Sequence, residues 1–163
     1  MPINRRPLLF ELFDNKESTD LLLEMMHGGE YEEVRAHAKR SPSEIEEQLR
    51  LFVSGKLPGD QLHWAVRDFE SGPCVGSLQA TASGGALYVG YQMATQSRGS
   101  GKATQALRWL VQELRRLSPE MPIRANVSIA NIASMRVLSK NGFCLIVEGE
   151  GGCQHLFQLL HEA

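Results

Sequence analysis

The chain has 163 residues, an ordinary globular composition and a formal charge of −2. This length suits one domain with a substantial core, which we place over 1–163. The near-neutral charge argues against a nucleic-acid-binding protein, because such proteins are usually clearly basic. No apolar run approaches transmembrane length, and the short run after Arg5 and Arg6 predicts a strand rather than a signal peptide. Three cysteines without C-x-x-C spacing favour reduced thiols, so we expect a cytoplasmic protein. Because of its charge and its short apolar runs, we expect neither a membrane nor a nucleic-acid partner.

The first half of the chain predicts a strand, two helices and then an antiparallel meander. The strand is "PLLFELFD" (7–14), and the first helix is "STDLLLEMMHGG" (18–29). In "SPSEIEEQLRLFVSG" (41–55), Ser41 and Glu44 form a capping box before an apolar stripe at helical spacing, which predicts the second helix. Alternation with period two then predicts three strands, over 61–68, 73–81 and 84–93.

The second half returns to helical periodicity. A helix is predicted over 101–117, a strand over 123–130 and a short helix over 131–143, before "FCLIVEG" and "CQHLFQLL" close the chain as a strand pair. The stretch 84–130 is a strand–helix–strand crossover, so its two strands should be parallel. The predicted fold class is therefore α/β, with a mixed, mostly antiparallel sheet and helices on both faces.

The segment "QSRGSGKATQAL" (96–107) looks like a phosphate-binding loop. It breaks the nucleoside-triphosphate pattern, because Gln96 replaces the first glycine and Ala103 the magnesium-binding Ser/Thr. Its small residues instead bring a ligand close to backbone N–H groups at a helix start, which predicts a pyrophosphate site without magnesium. Cys153 and His155 alternate on the last strand, but a lone C-x-H is usually structural, and we expect no metal.

Two segments resemble the Gcn5-related N-acetyltransferases, the GNAT superfamily. "QSRGSG" (96–101) fits the signature Q/R-x-x-G-x-G/A, and "NIASMRVLSKNGF" (131–143) is similar to the family's N-x-x-[AS]-x-x-x-x-x-K-x-G-F segment. "VGYQM" before the loop and "SMRVLSKNGF" after it resemble the ribosomal-protein N-terminal acetyltransferase (RimJ/RimL-like) subgroup. The resemblance is strongest over 86–149. It implies a GNAT-like single domain whose central parallel strands, 86–93 and 123–130, splay apart.

The resemblance also implies that acetyl-coenzyme A is the co-substrate and that the loop holds its pyrophosphate. Gln92 and Met93 match positions whose backbone pairs with the pantetheine arm, and Asn131 matches one that contacts the arm or the substrate. Many relatives protonate the leaving thiolate with a tyrosine, but Leu138 stands there. The subgroup offers a serine, which Ser134 matches, so Ser134 and Asn131 are the predicted catalytic residues and also cofactor contacts. The other predicted cofactor contacts are Gln96, Arg98, Gly99, Ser100, Gly101, Lys102 and Ala103.

The general base bears on which amine is acetylated. At pH 7 a lysine amine costs roughly 4–5 kcal/mol to deprotonate, whereas an α-amine costs about 1 kcal/mol. Neither 86–93 nor 123–130 carries a carboxylate, although Glu148, Glu150 and His155 could reach in from the last strands. This pattern favours an α-amine or another amine of low pKa, with a water relay.

The predicted function is acetyl transfer from acetyl-coenzyme A directly to a primary amine, without a metal or a covalent enzyme intermediate. The acceptor is a protein N-terminal α-amine or a small-molecule amine. The alternative is a non-catalytic module that binds or senses acyl-coenzyme A on the same fold. The last strands could pair across a homodimer. Tyr91 is expected to be a wall of the cleft, and His63 a core or cleft-lining residue, rather than catalytic groups.

Overall fold

The computed structural model describes residues 8–13, 41–54, 61–68, 74–94, 97–150 and 154–160, with only the backbone of residue 13. The elements in these ranges follow the predicted order, within a few residues of their predicted bounds. The predicted helix over 18–29 lies outside the described residues. The strands are β1 (Leu9–Phe13), β2 (Gln61–Arg67), β3 (Cys74–Ser83), β4 (Ala86–Met93), β5 (Ile123–Ser128), β6 (Phe143–Val147) and β7 (Gln154–Leu159). The helices are α1 (Pro42–Val53), α2 (Lys102–Leu117) and α3 (Ile132–Lys140).

The strands form one sheet in the order β1-β2-β3-β4-β5-β7-β6. The β4–β5 pair is parallel and the other neighbouring pairs are antiparallel, which confirms the predicted α/β class with a mixed, mostly antiparallel sheet. The sequence pattern did not fix the order at the end of the chain. There β7 inserts between β5 and β6, so that β6 becomes the edge strand.

Helix α1 begins with the predicted capping box. The Ser41 hydroxyl accepts the N–H of Glu44 at 3.2 Å, and the Glu44 carboxylate accepts the N–H of Ser41 at 3.4 Å. Leu49 and Phe52 are the buried residues of its apolar stripe. The start of this helix is therefore fixed by its own side chains.

Helix α2 supplies much of the core on one face of the sheet. Its Trp109 ring stacks on Phe10 of β1 at a centroid distance of 4.0 Å and meets the edge of Trp64 on β2 at 5.8 Å. The side-chain amide of Asn141, just after α3, donates to the backbone oxygen of Thr104 at 3.2 Å and ties the two helices together. Within the described ranges, no helix has both the length and the apolar character needed to cross a membrane. The buried residues of α2 are Ala106, Leu107, Leu110 and Leu114.

Candidate active site

The central parallel strands separate soon after they meet. β4 pairs with β5 at Leu87 with Ile123 and at Tyr88 with Arg124, and the pairing ends there although both strands are described to their ends. On its other edge, β4 stays paired with β3 as far as Met93. Backbone groups of β4 beyond Tyr88 that point away from β3 therefore face a gap instead of a neighbouring strand. This is the splay that the sequence resemblance implied.

The loop after β4 enters α2 with a backbone conformation that favours glycine. Gly99 and Gly101 have φ angles of 79° and 80°, and a Cβ added to either would meet no described atom within 4 Å. Gly101 is the N-cap residue and offers no side chain to α2, whereas Ser41 and Asn131 cap α1 and α3. The first N–H groups of α2 and the positive end of its dipole therefore suit an anion. Gln96, also predicted to contact the ligand, lies outside the described residues.

Two predicted loop contacts have side-chain partners within the protein. The Ser100 hydroxyl donates to the backbone oxygen of Ser97 at 2.8 Å, which tightens the loop. The Lys102 ammonium lies 3.1 Å from an Asp68 carboxylate oxygen, and each side chain is about a quarter exposed. Arg98 is exposed. Lys102 is thus paired with a carboxylate just after β2, and no motif in the sequence predicts this pair.

The two predicted cofactor contacts at the end of β4 differ in exposure. Gln92 is exposed, while Met93 is buried in the hydrophobic core. The strand is held here by Ala94, whose N–H donates to the Val75 oxygen on β3 at 2.8 Å. Met93 can therefore offer only its backbone to a ligand in the gap.

A hydrogen-bonded group connects the start of α3 with β4. The Asn131 side-chain oxygen accepts the N–H of Ser134 at 3.0 Å and caps the helix. The Tyr91 phenol oxygen lies 2.5 Å from the Ser134 hydroxyl oxygen and donates to the Ser134 backbone oxygen at 2.9 Å. Burial raises the pKa of Tyr91, although the hydrogen bond with Ser134 partly lowers it. Leu138, in the tyrosine position of many relatives, is fully buried.

The face of the sheet opposite α2 carries an open polar cavity of about 510 Å³. It borders the gap, because Tyr88 and Asn126 lie on the two strands that separate. The rest of its lining comes from β3 and β4 and is amide, hydroxyl and glycine, with Val89 as the one aliphatic side chain. Polar residues alternating along 73–81 and 84–93 were the available sequence signal, but they read equally well as a solvent-facing strand side. The lining residues are Gln79, Thr81, Ser83, Tyr88, Val89, Gly90 and Asn126.

The candidate bases from the end of the chain lie in different surroundings. The Nδ1 atom of His155 accepts the N–H of Gly149 at 2.9 Å, so its ring proton lies on Nε2 and the free side of the ring is a donor. Glu148 and Glu150 are exposed. His63 is buried, and burial lowers its pKa. In the part of the chain that is described, no three His, Cys, Asp or Glu side chains come together in a metal-binding cluster.

The chain is similar to known acetyltransferases in sequence pattern and in fold. The sequence model of the acetyltransferase (GNAT) domain matches residues 8–144. Its fold is similar to that of a GnaT-family acetyltransferase from Bordetella pertussis, at 15% identity over 94% of this chain and 95% of that one, with a TM-score of 0.63. No curated protein matches the chain significantly.

Two further similar structures contain coenzyme A. One is aminoglycoside acetyltransferase AAC(6')-Ib in complex with coenzyme A and kanamycin, at 17% identity, 93% and 94% coverage and a TM-score of 0.60. The other is RimL, a ribosomal L7/L12 α-N-protein acetyltransferase, in complex with coenzyme A, at 19% identity, 93% and 91% coverage and a TM-score of 0.57. The family match covers most of the sequence and the sheet has the splayed parallel pair, so this chain belongs to the GNAT family of acetyltransferases.

Proposed function

We propose that this acetyltransferase moves the acetyl group of acetyl-coenzyme A directly to a primary amine, with the α-amine of a peptide N-terminus as the preferred acceptor. One observation carries the proposal: the gap beyond Tyr88 between β4 and β5 is followed directly by the loop that leads to the glycine-capped start of α2 at Gly101. An open strand edge can pair with the amides of a pantetheine arm, and a helix start can hold a pyrophosphate.

The residues around the gap fit coenzyme A. No Cβ occupies the space in front of Gly99 and Gly101, so a phosphate can approach the backbone there. The N–H groups of Lys102 and Ala103 begin the helix. The Ser97 N–H already donates to the Ala94 oxygen, so the other candidate donors in this loop are the N–H groups of residues 98–101. Bound acetyl-coenzyme A supplies an acyl thioester. The backbone of Gln92 and Met93 then orients the arm along β4.

The cavity on the opposite face of the sheet suits a peptide acceptor. Gln79, Thr81 and Asn126 offer amide and hydroxyl groups that match the N–H and C=O groups of a peptide backbone. An α-amine also needs little help to lose its proton at pH 7, which suits strands β4 and β5 that carry no carboxylate. RimL is named as an α-N-protein acetyltransferase, and the AAC(6')-Ib structure holds an aminoglycoside, which supports an amine as the acceptor.

Two residues at the start of α3 are proposed to serve the chemistry. Asn131 fixes the first turn of the helix by accepting the N–H of Ser134. The Ser134 hydroxyl then donates a proton to the sulfur as the C–S bond breaks. General acid catalysis of this kind contributes typically 10²- to 10⁴-fold.

The test has a binding step and a turnover step. Thermal unfolding is measured with acetyl-coenzyme A and, as a control, with ATP–magnesium. At about a hundred times the dissociation constant, a ligand of the native state adds about 2.7 kcal/mol to the free energy of unfolding. Thiol release is then followed with a lysine-free peptide that has an unblocked N-terminus, with the same peptide N-terminally blocked and carrying one lysine, and with a polyamine.

The expected result is stabilisation by acetyl-coenzyme A alone and acetylation of the unblocked peptide at its α-amine, located by mass spectrometry. Preference for the polyamine would support acetyl transfer to an amine, but the acceptor would then be a small molecule and not a peptide. Stabilisation without thiol release across all amines would instead favour the non-catalytic acyl-coenzyme A module. Stabilisation by ATP–magnesium alone would contradict the proposal that acetyl-coenzyme A is the donor. The cytoplasmic location and the homodimer stay predictions.

A further inference from the structure

We infer that Tyr91 is a positioning residue that directs the Ser134 hydroxyl proton toward the leaving sulfur. The inference rests on the proposed function and concerns the same gap. Tyr91 lies three residues beyond the last residue of β4 that pairs with β5, so it stands at the β4 wall of the gap. Ser134 lies in the first turn of α3. The two residues are 43 positions apart in sequence, and their side-chain oxygens are 2.5 Å apart.

The hydrogens in this group can be arranged in two ways. The Ser134 backbone oxygen can only accept, whereas each hydroxyl can donate once and also accept. If Tyr91 donates to the Ser134 backbone oxygen, 2.9 Å away, the Ser134 hydroxyl donates to Tyr91 and its proton is withheld from the gap. If Tyr91 instead donates to the Ser134 hydroxyl oxygen, the Ser134 proton is released to a partner in the gap. A small rotation of one phenolic hydrogen therefore decides where the Ser134 proton points. Negative charge developing on the sulfur favours the second arrangement, because only there does the Ser134 proton face the gap.

Tyr91 is suited to remain the donor. It packs against the hydrophobic core, and burial raises its pKa, so the phenol keeps its proton through neutral pH. Its side chain is held at one end by β4 and at the other by two oxygens of the same residue. Leu138, on the next turn of α3, is buried and brings no hydroxyl to this place.

The proton balance closes without a further reactant. The amine nitrogen forms a bond to the acyl carbon and loses one proton, while the C–S bond breaks and sulfur keeps the electron pair. Ser134 gives its proton to sulfur and is reprotonated through water by the proton that the amine releases. Tyr91 keeps its own proton and donates a hydrogen bond to the Ser134 hydroxyl oxygen throughout. Tyr91 touches neither the sulfur nor the amine in this scheme, so it acts only through Ser134.

A double-mutant cycle tests this dependence. Tyr91→Phe, Ser134→Ala and the double variant are compared in kcat, in KM for both substrates and in affinity for acetyl-coenzyme A. Ser139→Ala, an exposed hydroxyl deletion on the same helix, is the matched control. We expect kcat to fall about 10-fold in Tyr91→Phe and about 100-fold in Ser134→Ala. The double variant should equal Ser134→Ala alone in kcat, and Tyr91→Phe should leave the affinity for acetyl-coenzyme A unchanged.

The contrary outcomes are distinct. An unchanged kcat in Tyr91→Phe, or losses that multiply in the double variant, would overturn the inference while leaving the proposed function in place. A parallel loss of kcat and of acetyl-coenzyme A affinity in Tyr91→Phe would also overturn it, because the phenol would then only shape the gap. Absence of thiol release by the unmodified protein with acetyl-coenzyme A bound would remove the proposed function and the inference together.

Discussion

The two edges of β4 have opposite characters. Along one edge every residue from Ala86 to Met93 pairs with β3. Along the other edge pairing with β5 stops after Leu87 and Tyr88. The closed edge is backed by buried side chains such as Leu78. Near the open edge, the Tyr91 side chain contacts Ser134 at the start of α3, and the strand leads on to the loop before α2.

The difference shows how one strand can serve both stability and ligand binding. Unpaired backbone groups are costly unless something else satisfies them, so an open edge inside a sheet persists only if its other side is firmly held. Gly76 on β3 marks the place where the two edges depend on each other. A Cβ there would lie 2.6 Å from the backbone oxygen of Gln92 and 2.6 Å from the Met93 sulfur. The position of the open edge is therefore set by contacts on the closed one.

The largest expected effect comes from breaking the closed edge in its core. Leu78 is 1% exposed, so Leu78→Ala should lower the free energy of unfolding by about 2–5 kcal/mol through lost burial and a cavity. Urea unfolding measures this loss. The matched control Leu145→Ala, on the exposed edge strand β6, should change stability by no more than about 0.5 kcal/mol. Acetyl-coenzyme A affinity of the folded Leu78→Ala protein should stay within about 2-fold, and a larger loss of affinity in the folded protein would contradict the division between the edges.

Gly76→Ala should affect both edges at once. The added methyl group has to displace the backbone of β4 or the Met93 side chain, which costs about 1–3 kcal/mol as an overpacked site does. The displaced residues are those proposed to pair with the pantetheine arm, so acetyl-coenzyme A affinity should fall as well. Unfolding and ligand titration are measured on the same samples.

Gly85→Ala, in the turn between β3 and β4, distinguishes the effect of backbone strain from the effect of displacing β4. Its φ is 80°, so alanine there costs about 1–2 kcal/mol, but no described atom lies within 4 Å of the added methyl group. This control should lose stability and keep its affinity. Equal losses of affinity in the two glycine variants would mean that general destabilisation, and not the shift of β4, weakens binding.

The sequence predicted the elements well because their signals are local. Periods of 3.6 and 2 identified the described helices and strands, and Ser41 with Glu44 identified the start of α1. The glycine-rich loop before α2 was predicted for the same reason. The order β5-β7-β6 was not predictable, because the apolar pattern of the last two strands fits either arrangement. The contacts between Tyr91 and Ser134 and between Lys102 and Asp68 join residues 43 and 34 positions apart, and no periodic pattern encodes such pairs.

The smallest expected effect concerns the ion pair beside the open edge. Lys102 is the first residue of α2, and its ammonium lies 3.1 Å from Asp68 in a partly exposed position. Lys102→Met leaves the Asp68 carboxylate uncompensated close to the proposed pyrophosphate site, which should weaken acetyl-coenzyme A binding. A partly exposed charge interaction is worth roughly 0.5–1 kcal/mol, which corresponds to about a 2- to 5-fold higher dissociation constant.

Asp68→Asn gives the opposite sign and so sharpens this test. Removing the carboxylate takes a negative charge away from the anion and releases Lys102 toward it, so binding should become about 2- to 5-fold tighter. Both changes should shrink as salt rises, because screening weakens interactions between exposed charges. Titration of both variants with acetyl-coenzyme A at low and high ionic strength measures these changes in affinity. If Asp68→Asn weakened binding, the carboxylate would have to act by holding Lys102 in place. The position of the Lys102 ammonium, and not the net charge at the start of α2, would then determine the affinity for acetyl-coenzyme A.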